Sequence, residues 1–194
     1  NEKQKETVKI IDRATTNLTE LTSALMNIRY SDSYVYKFEE VDFSSFVHDV
    51  VDQYRDDASR KDLKIETYLD DKVTVTVDKS KMKYAIQLLI ENALTYTPSG
   101  GFISVAVSEK LGRVIFEISD TGIGISKDDK PYVFSEFYRA QNARQVYTEG
   151  MGVGLFIVKS IVSRSGGKVS FVSEGIGKGS RFEISLPLYR GKDN

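Results

Sequence analysis

Cysteine and tryptophan are absent from the 194 residues, and histidine occurs once. Without a thiol the chain can build no disulfide framework, thiolate metal site, iron–sulfur cluster or cysteine nucleophile. The lone His48 excludes a multi-histidine metal centre. No run approaches the roughly 18 apolar residues of a membrane-spanning helix. The opening NEKQKETVKI has neither the apolar centre nor the small-residue cleavage site of a signal peptide. Neither sign of charge prevails: 27 Lys+Arg against 28 Asp+Glu leave a net charge of −1. That balance argues against a protein held to nucleic acid by bulk charge and against an acidic disordered tail. The first residue is Asn rather than Met, so the chain reads as a piece of something longer, with an upstream membrane segment or processing both left open.

What is present is ordinary for a globular chain: 40% apolar and 28% charged residues, with 11 Tyr and 10 Phe. The length suits one domain of roughly 150 residues plus an extra element. That extra element comes first. Ile11, Ala14, Leu18, Leu21, Leu25 and Ile28 recur at spacings of 3 and 4, a heptad stripe on a helix from about Glu6 to Tyr30 that asks for a partner helix. After a polar break at Ser31 to Tyr36, Asp42 is placed to cap a second helix with an apolar face of Phe43, Phe46, Val47, Val50, Val51 and Tyr54. Strands are expected near Ile65 to Leu69 and Val73 to Val77. Asp78 then caps a helix running to about Tyr96.

The alternating runs Ile103/Val105/Val107 and Val114/Phe116/Ile118 flank a short polar loop and predict an antiparallel hairpin. A helix from about Gly152 to Ser165, stopped by Gly166-Gly167, precedes two last strands around Val169/Phe171 and Phe182/Ile184/Leu186. This order predicts an α/β sandwich with a mixed sheet covered by helices on one face.

Four segments carry chemistry together that none carries alone. Asp120-Thr121-Gly122-Ile123-Gly124-Ile125 puts a carboxylate at a strand end beside tightly bending backbone. Gly150-Met151-Gly152-Val153-Gly154-Leu155 opens a helix, where free N–H groups and the positive end of the dipole receive phosphate oxygens. Glu91-Asn92-Ala93 lies on a helix, and Phe134-x-x-Phe137-Tyr138-Arg139 precedes a loop. Read singly, these are a turn, a flexible joint, a helix segment and core aromatics. A Walker loop, a dinucleotide fingerprint and the protein-kinase motif set all fail to match.

The ordered segments LLIENALTYTPSGG, DTGIGI, VFSEFYR, GMGVGLFIVKSIV and GKGSRFEISLPL resemble the N box, first glycine box, F box, second glycine box and last glycine box of sensor histidine kinases, over about Val41 to Leu188. The N-terminal stripe resembles the second helix of that family's dimerisation hairpin. The resemblance implies a two-layer α/β sandwich of the Bergerat, or GHKL, type preceded by that helix, divided as residues 1–31 (partial hairpin), 32–40 (linker), 41–190 (catalytic ATP-binding domain) and 191–194 (tail). It also implies transfer of the ATP γ-phosphoryl group to a histidine on a hairpin helix absent from this chain, and from there to an aspartate of a response-regulator receiver domain. The parent is then a homodimer through its hairpin and anchored in the cell membrane. This part of it is cytoplasmic, without direct membrane contact and without a nucleic-acid partner.

Carried over by position, Asp120 accepts from the adenine amino group, which predicts ATP over GTP. Asn92 gives its carbonyl oxygen to Mg²⁺ as the catalytic metal ligand. Tyr96 lies against the base, and Gly122, Gly124, Gly150, Gly152, Gly154 and Leu155 let backbone approach the nucleotide. Ala140 to Glu149 form a mobile lid with Phe134 and Phe137 anchoring its base, and Arg139 contacts phosphate. His48-Asp49 echoes the acceptor box, but Val51 and Gln53 stand where a basic residue and Pro belong, so His48 reads as a surface residue. Two positions depart from the pattern: Leu88 replaces an Asn four residues before Asn92, and Thr95 replaces a basic residue three after it. A non-catalytic nucleotide-binding signalling module is therefore an alternative. An ATP hydrolase of the gyrase kind would need Glu at Leu88.

Overall fold

The structure, a computed structural model, describes residues 7, 8, 15 and 36–189. The heptad stripe from Ile11 to Ile28 lies outside the described residues. Strand β1 (Phe38–Asp42) leads directly into helix α1 (Phe43–Asp52). Asp42 caps α1, its carboxylate accepting from Ser45 N at 3.2 Å. Phe43, Phe46, Val47, Val50 and Val51 are buried on one face of α1, as their spacing predicts. A short helix α2 (Arg55–Arg60) follows, then β2 (Lys64–Leu69) and β3 (Thr74–Asp78). Asp78 caps α3 (Lys79–Tyr96), accepting from Lys81 N at 3.0 Å, and its other oxygen accepts from Lys37 N. One carboxylate thus starts the longest helix of the described residues and ties down the chain leading into β1.

Strands β4 (Phe102–Lys110) and β5 (Arg113–Asp120) form the expected hairpin. Its turn residues Leu111 and Gly112 both have positive φ, 53° and 72°, the backbone of a type I′ turn whose twist matches the strands. After a long loop region come α4 (Gln141–Val146), α5 (Gly154–Arg164), β6 (Lys168–Val172) and β7 (Ser180–Pro187). The main sheet has the order β2-β4-β5-β7-β6, with β2 parallel to β4 and the other pairs antiparallel; β1 and β3 form a separate two-stranded sheet. A parallel pair needs a crossover, and the β3–α3 segment supplies it.

Alternate residues of the sheet, Ile103/Val105/Val107, Val114/Phe116/Ile118 and Phe182/Ile184/Leu186, point into one core. Helices α1, α3 and α5 close that core from the same side, with Phe43, Met82, Ile86, Leu89, Ile157 and Ile161 fully buried. At roughly 1.5–3 kcal/mol for each large buried apolar side chain, this layer supplies most of the folding drive. The mixed sheet covered on one face is as expected. Strand β1 was not: its FEEVD pattern buries Val41 alone, so alternation gives no signal, and its residues 38–40 fall where a linker was expected.

Candidate nucleotide site

The strand order brings two distant segments together. Asp120 ends β5 and Ser180 begins β7, and the antiparallel register sets them opposite one another. Ser180 Oγ donates to Asp120 Oδ2 at 2.5 Å, while Gly122 N donates to Oδ1 at 2.8 Å. Burial raises the Asp120 pKa above the usual carboxylate value, and the bonds from Ser180 and Gly122 oppose that shift. The carboxylate is therefore oriented from both sides.

Around it lies a cavity of about 350 Å³ between α3, the lid and the start of α5. Asn92, Tyr96, Asp120, Gly124, Arg139, Gly150, Gly152, Gly154 and Leu155 all line it. Gly122 is buried just behind, bonded to Asp120. Among the described residues the Asn92 amide has no hydrogen-bond partner, so its oxygen is uncommitted in a half-buried position. The first helical residues of α5 lack a side-chain cap, and Gly154 and Leu155 turn their uncapped turn towards the cavity.

The glycines answer to a contact that the sequence reading did not foresee. A Cβ on Gly124, whose φ is +66°, would lie 1.9 Å from the Gly175 carbonyl oxygen, and one on Gly122 would lie 2.5 Å from that of Tyr96. Gly152, at φ +75°, would meet the Tyr138 carbonyl oxygen at 2.6 Å. These positions are small because chain packs on chain. At Gly154 the nearest atom to such a Cβ is Leu88 Cδ2 at an ordinary 3.6 Å.

The lid differs from expectation in three respects. It contains the helix α4 rather than loop alone. Phe134 packs edge-on against Phe171 and Phe182, at ring distances of 5.7 and 6.4 Å, at the base of this segment. Phe137 does not: it is 51% exposed with φ +59°, because the tight turn that brings Tyr138 and Arg139 to the cavity throws its ring outward. The second contact comes instead from Tyr138, whose hydroxyl bonds to Asp129 at 2.5 Å and whose pKa is pushed up to about 12 by that carboxylate. Arg139 lines the cavity, yet its guanidinium donates to the carbonyls of Thr148 at 3.0 Å and Gly150 at 2.7 Å, and also to that of Tyr147. In this arrangement it pins the far end of the lid.

Ser180, Asn142 and Ile123 also line the cavity and were not singled out from sequence. Asn142 Nδ2 donates to the Gly124 carbonyl at 3.0 Å, joining lid and glycine loop. Ser180 was legible in part, since it lies in the last glycine segment, but its pairing with Asp120 is a matter of strand order. His48 is about half exposed, 3.4 Å from Asp52 on its own helix and on the opposite side of α1 from the core.

A two-layer α/β sandwich with a capped carboxylate, an uncommitted asparagine and an uncapped helix start around one cavity defines a nucleotide-binding domain of the Bergerat class. The family described as histidine kinase-, DNA gyrase B- and HSP90-like ATPase matches residues 77–190. The chain belongs to that family and is a histidine-kinase-type ATP-binding domain. The sensor-like histidine kinase SenX3 of Mycolicibacterium smegmatis is 34% identical over 151 residues, which are 78% of this chain and 39% of that protein. Drug sensory protein A of Synechocystis is 30% identical over 200 residues, 96% of this chain and 30% of that protein.

The chain therefore spans about three tenths to two fifths of the length of these curated relatives. Among solved structures, the mycobacterial sensor histidine kinase MprB superposes with a TM-score of 0.66 at 27% identity, over 78% of this chain and 98% of that one. A full-length ShkA in complex with AMPPNP gives 0.80 at 23% identity, over 98% and 40%, a likeness of fold.

Proposed function

We propose that this domain binds ATP with Mg²⁺ and presents its γ-phosphoryl group to a histidine on a dimerisation hairpin of the parent protein, which passes it to the aspartate of a response-regulator receiver domain. The observation that carries the reading is the Asp120 carboxylate, held by Ser180 and Gly122 at the floor of the cavity as an acceptor-only group. It suits the adenine amino group and opposes the guanine carbonyl. Tyr96 lines the same cavity, and on this reading it lies against the base. Residues 41–190 would be the catalytic unit and residues 1–31 part of the hairpin.

Mg²⁺ fits the residues present. Among the described residues no group of three His, Cys, Asp or Glu could hold a metal ion by itself. A hard cation that takes one protein oxygen and completes its shell with phosphate oxygens and water needs no such group, and the Asn92 amide offers that oxygen. When bound, the cation would neutralise charge on the β- and γ-phosphates. The protein's own part is positioning. Asp120 and Tyr96 fix the base, and the N–H groups opening α5 receive phosphate oxygens. The lid, held through Arg139, Tyr138 and Phe134, excludes water from the γ-phosphoryl group. On this reading Arg139, which lines the cavity, exchanges its carbonyl partners for phosphate when nucleotide binds. Leu88 is 7% exposed and packs near Gly154, so no carboxylate stands where a hydrolase would activate water.

On this reading the domain works on the cytoplasmic side, where ATP is found, of a membrane-anchored dimeric parent. Among the described residues no helix is long and apolar enough to cross a membrane. The test is transfer of label from γ-labelled ATP to the parent's hairpin supplied as a separate chain. Labelling that vanishes on replacing the hairpin histidine supports the kinase reading. ATP binding without transfer to that hairpin would favour the binding-module alternative.

A further inference from the structure

Among the residues of α3 that line the cavity are Leu88, Glu91, Asn92 and Thr95, at relative positions 0, 3, 4 and 7. They form one stripe of a helix. Glu91 therefore shares the cavity wall with Asn92 but stands at its exposed rim. A solvated glutamate ordinarily samples several rotamers, and this one is tethered. The hydroxyl of Tyr54, in the turn between α1 and α2, donates to Glu91 Oε1 at 2.7 Å. The Gln87 side chain bonds to the same hydroxyl one turn earlier on α3. Burial together with the neighbouring carboxylate raises the Tyr54 pKa, so the phenol stays protonated and remains a donor. Among the described residues no Lys or Arg forms an ion pair with Glu91. A carboxylate without an ion-pair partner among the described residues is thus fixed one residue from the uncommitted Asn92 amide.

We propose that Glu91, oriented by Tyr54, makes the site select the Mg²⁺ complex of its nucleotide over the free polyphosphate. This rests on the nucleotide reading above and adds to it. A carboxylate at that rim repels a bare triphosphate and accepts hydrogen bonds from the water that a hydrated divalent cation keeps in its shell. The same group therefore acts with opposite sign on the two forms of the ligand. A residue that merely supports the fold moves both affinities in the same direction.

The experiment is calorimetric titration of the protein with ATP in excess Mg²⁺ and with ATP in chelator, for the wild type, Glu91→Gln and Tyr54→Phe. The expected result is a weaker complex with Mg²⁺ and a tighter one without it in Glu91→Gln, so that the ratio of the two dissociation constants changes by about tenfold, the size of one charge-assisted hydrogen bond. Tyr54→Phe keeps the charge and frees its rotamer, so it moves the ratio the same way by about twofold to threefold. An unchanged ratio in Glu91→Gln, or both affinities falling together, overturns the proposal while leaving ATP binding intact. A wild type that binds neither form overturns the nucleotide reading itself, and that outcome is visible before any variant is made.

Discussion

Replacing Asp120 by Asn tests the adenine reading at the point where the geometry is most explicit. Two donors already converge on this carboxylate, Gly122 N on one oxygen and Ser180 Oγ on the other. In Asp120→Asn the amide oxygen keeps the Gly122 bond, and the serine hydroxyl rotates to accept from the new NH₂. That NH₂ then faces the adenine amino group, donor against donor. Losing a charge-assisted hydrogen bond costs about 1.5–3 kcal/mol, or roughly 10- to 150-fold in Kd.

Stability should move the other way. Burial raises the Asp120 pKa in the folded state, so the fold holds this proton to higher pH than the unfolded chain does. Ionising the group costs stability as pH rises from about 4, the ordinary carboxylate value, through the raised one. Above that window the cost is fully present, and Asn removes it. The assay pairs calorimetric titration with ATP and GTP with thermal melts over a pH series rising from about 4, the ordinary carboxylate value. The expected outcome is wild-type preference for ATP over GTP, lost ATP affinity in the variant, and a variant melting at or above wild type at the higher pH values. ATP affinity retained within about twofold, a difference below a single hydrogen bond, would refute the role given to Asp120.

Other outcomes follow from particular contacts. Asp78→Ala removes the cap of α3 and the partner of Lys37 N, so denaturant titration should show a loss of about 1–2 kcal/mol. Gly124→Ala forces a left-handed backbone on a residue with a Cβ and drives that atom against Gly175, so a melting curve should fall by more than the roughly 1–2 kcal/mol of the conformational cost alone. The two phenylalanines of the lid base should separate. Phe134→Ala loses ring contacts with Phe171 and Phe182 and should cost about 2 kcal/mol, below the 3–5 of a fully buried ring. Phe137→Gly relieves a left-handed φ on an exposed residue and should stabilise by up to about 1 kcal/mol.

Local patterns announced most of the fold. Asp42 and Asp78 cap their helices because a carboxylate before an apolar period satisfies the first free N–H groups whatever lies elsewhere in the chain. The β4–β5 hairpin follows from alternation around a two-residue turn, and the cavity residues from glycine segments and Asn92 in a recognisable order. What sequence alone could not supply was every relation between distant segments. Strand β7 sits beside β5 although the lid, α5 and β6 intervene, and only that order gives Asp120 its bond from Ser180. Strand β1 escaped notice because its short run buries one residue and is held by β3 rather than by its own alternation.

Phe137 and Arg139 were legible as residues but not as orientations. A side chain's direction at a tight turn depends on a backbone φ that the surrounding packing imposes. The same holds for Glu91. Its helical phase was written in the sequence, but the tyrosine that holds its carboxylate comes from a turn 37 residues away. Hydrophobic period and capping are local free energies and can be read from neighbouring letters. The hydrogen bonds that orient a site join segments brought together only when the core closes.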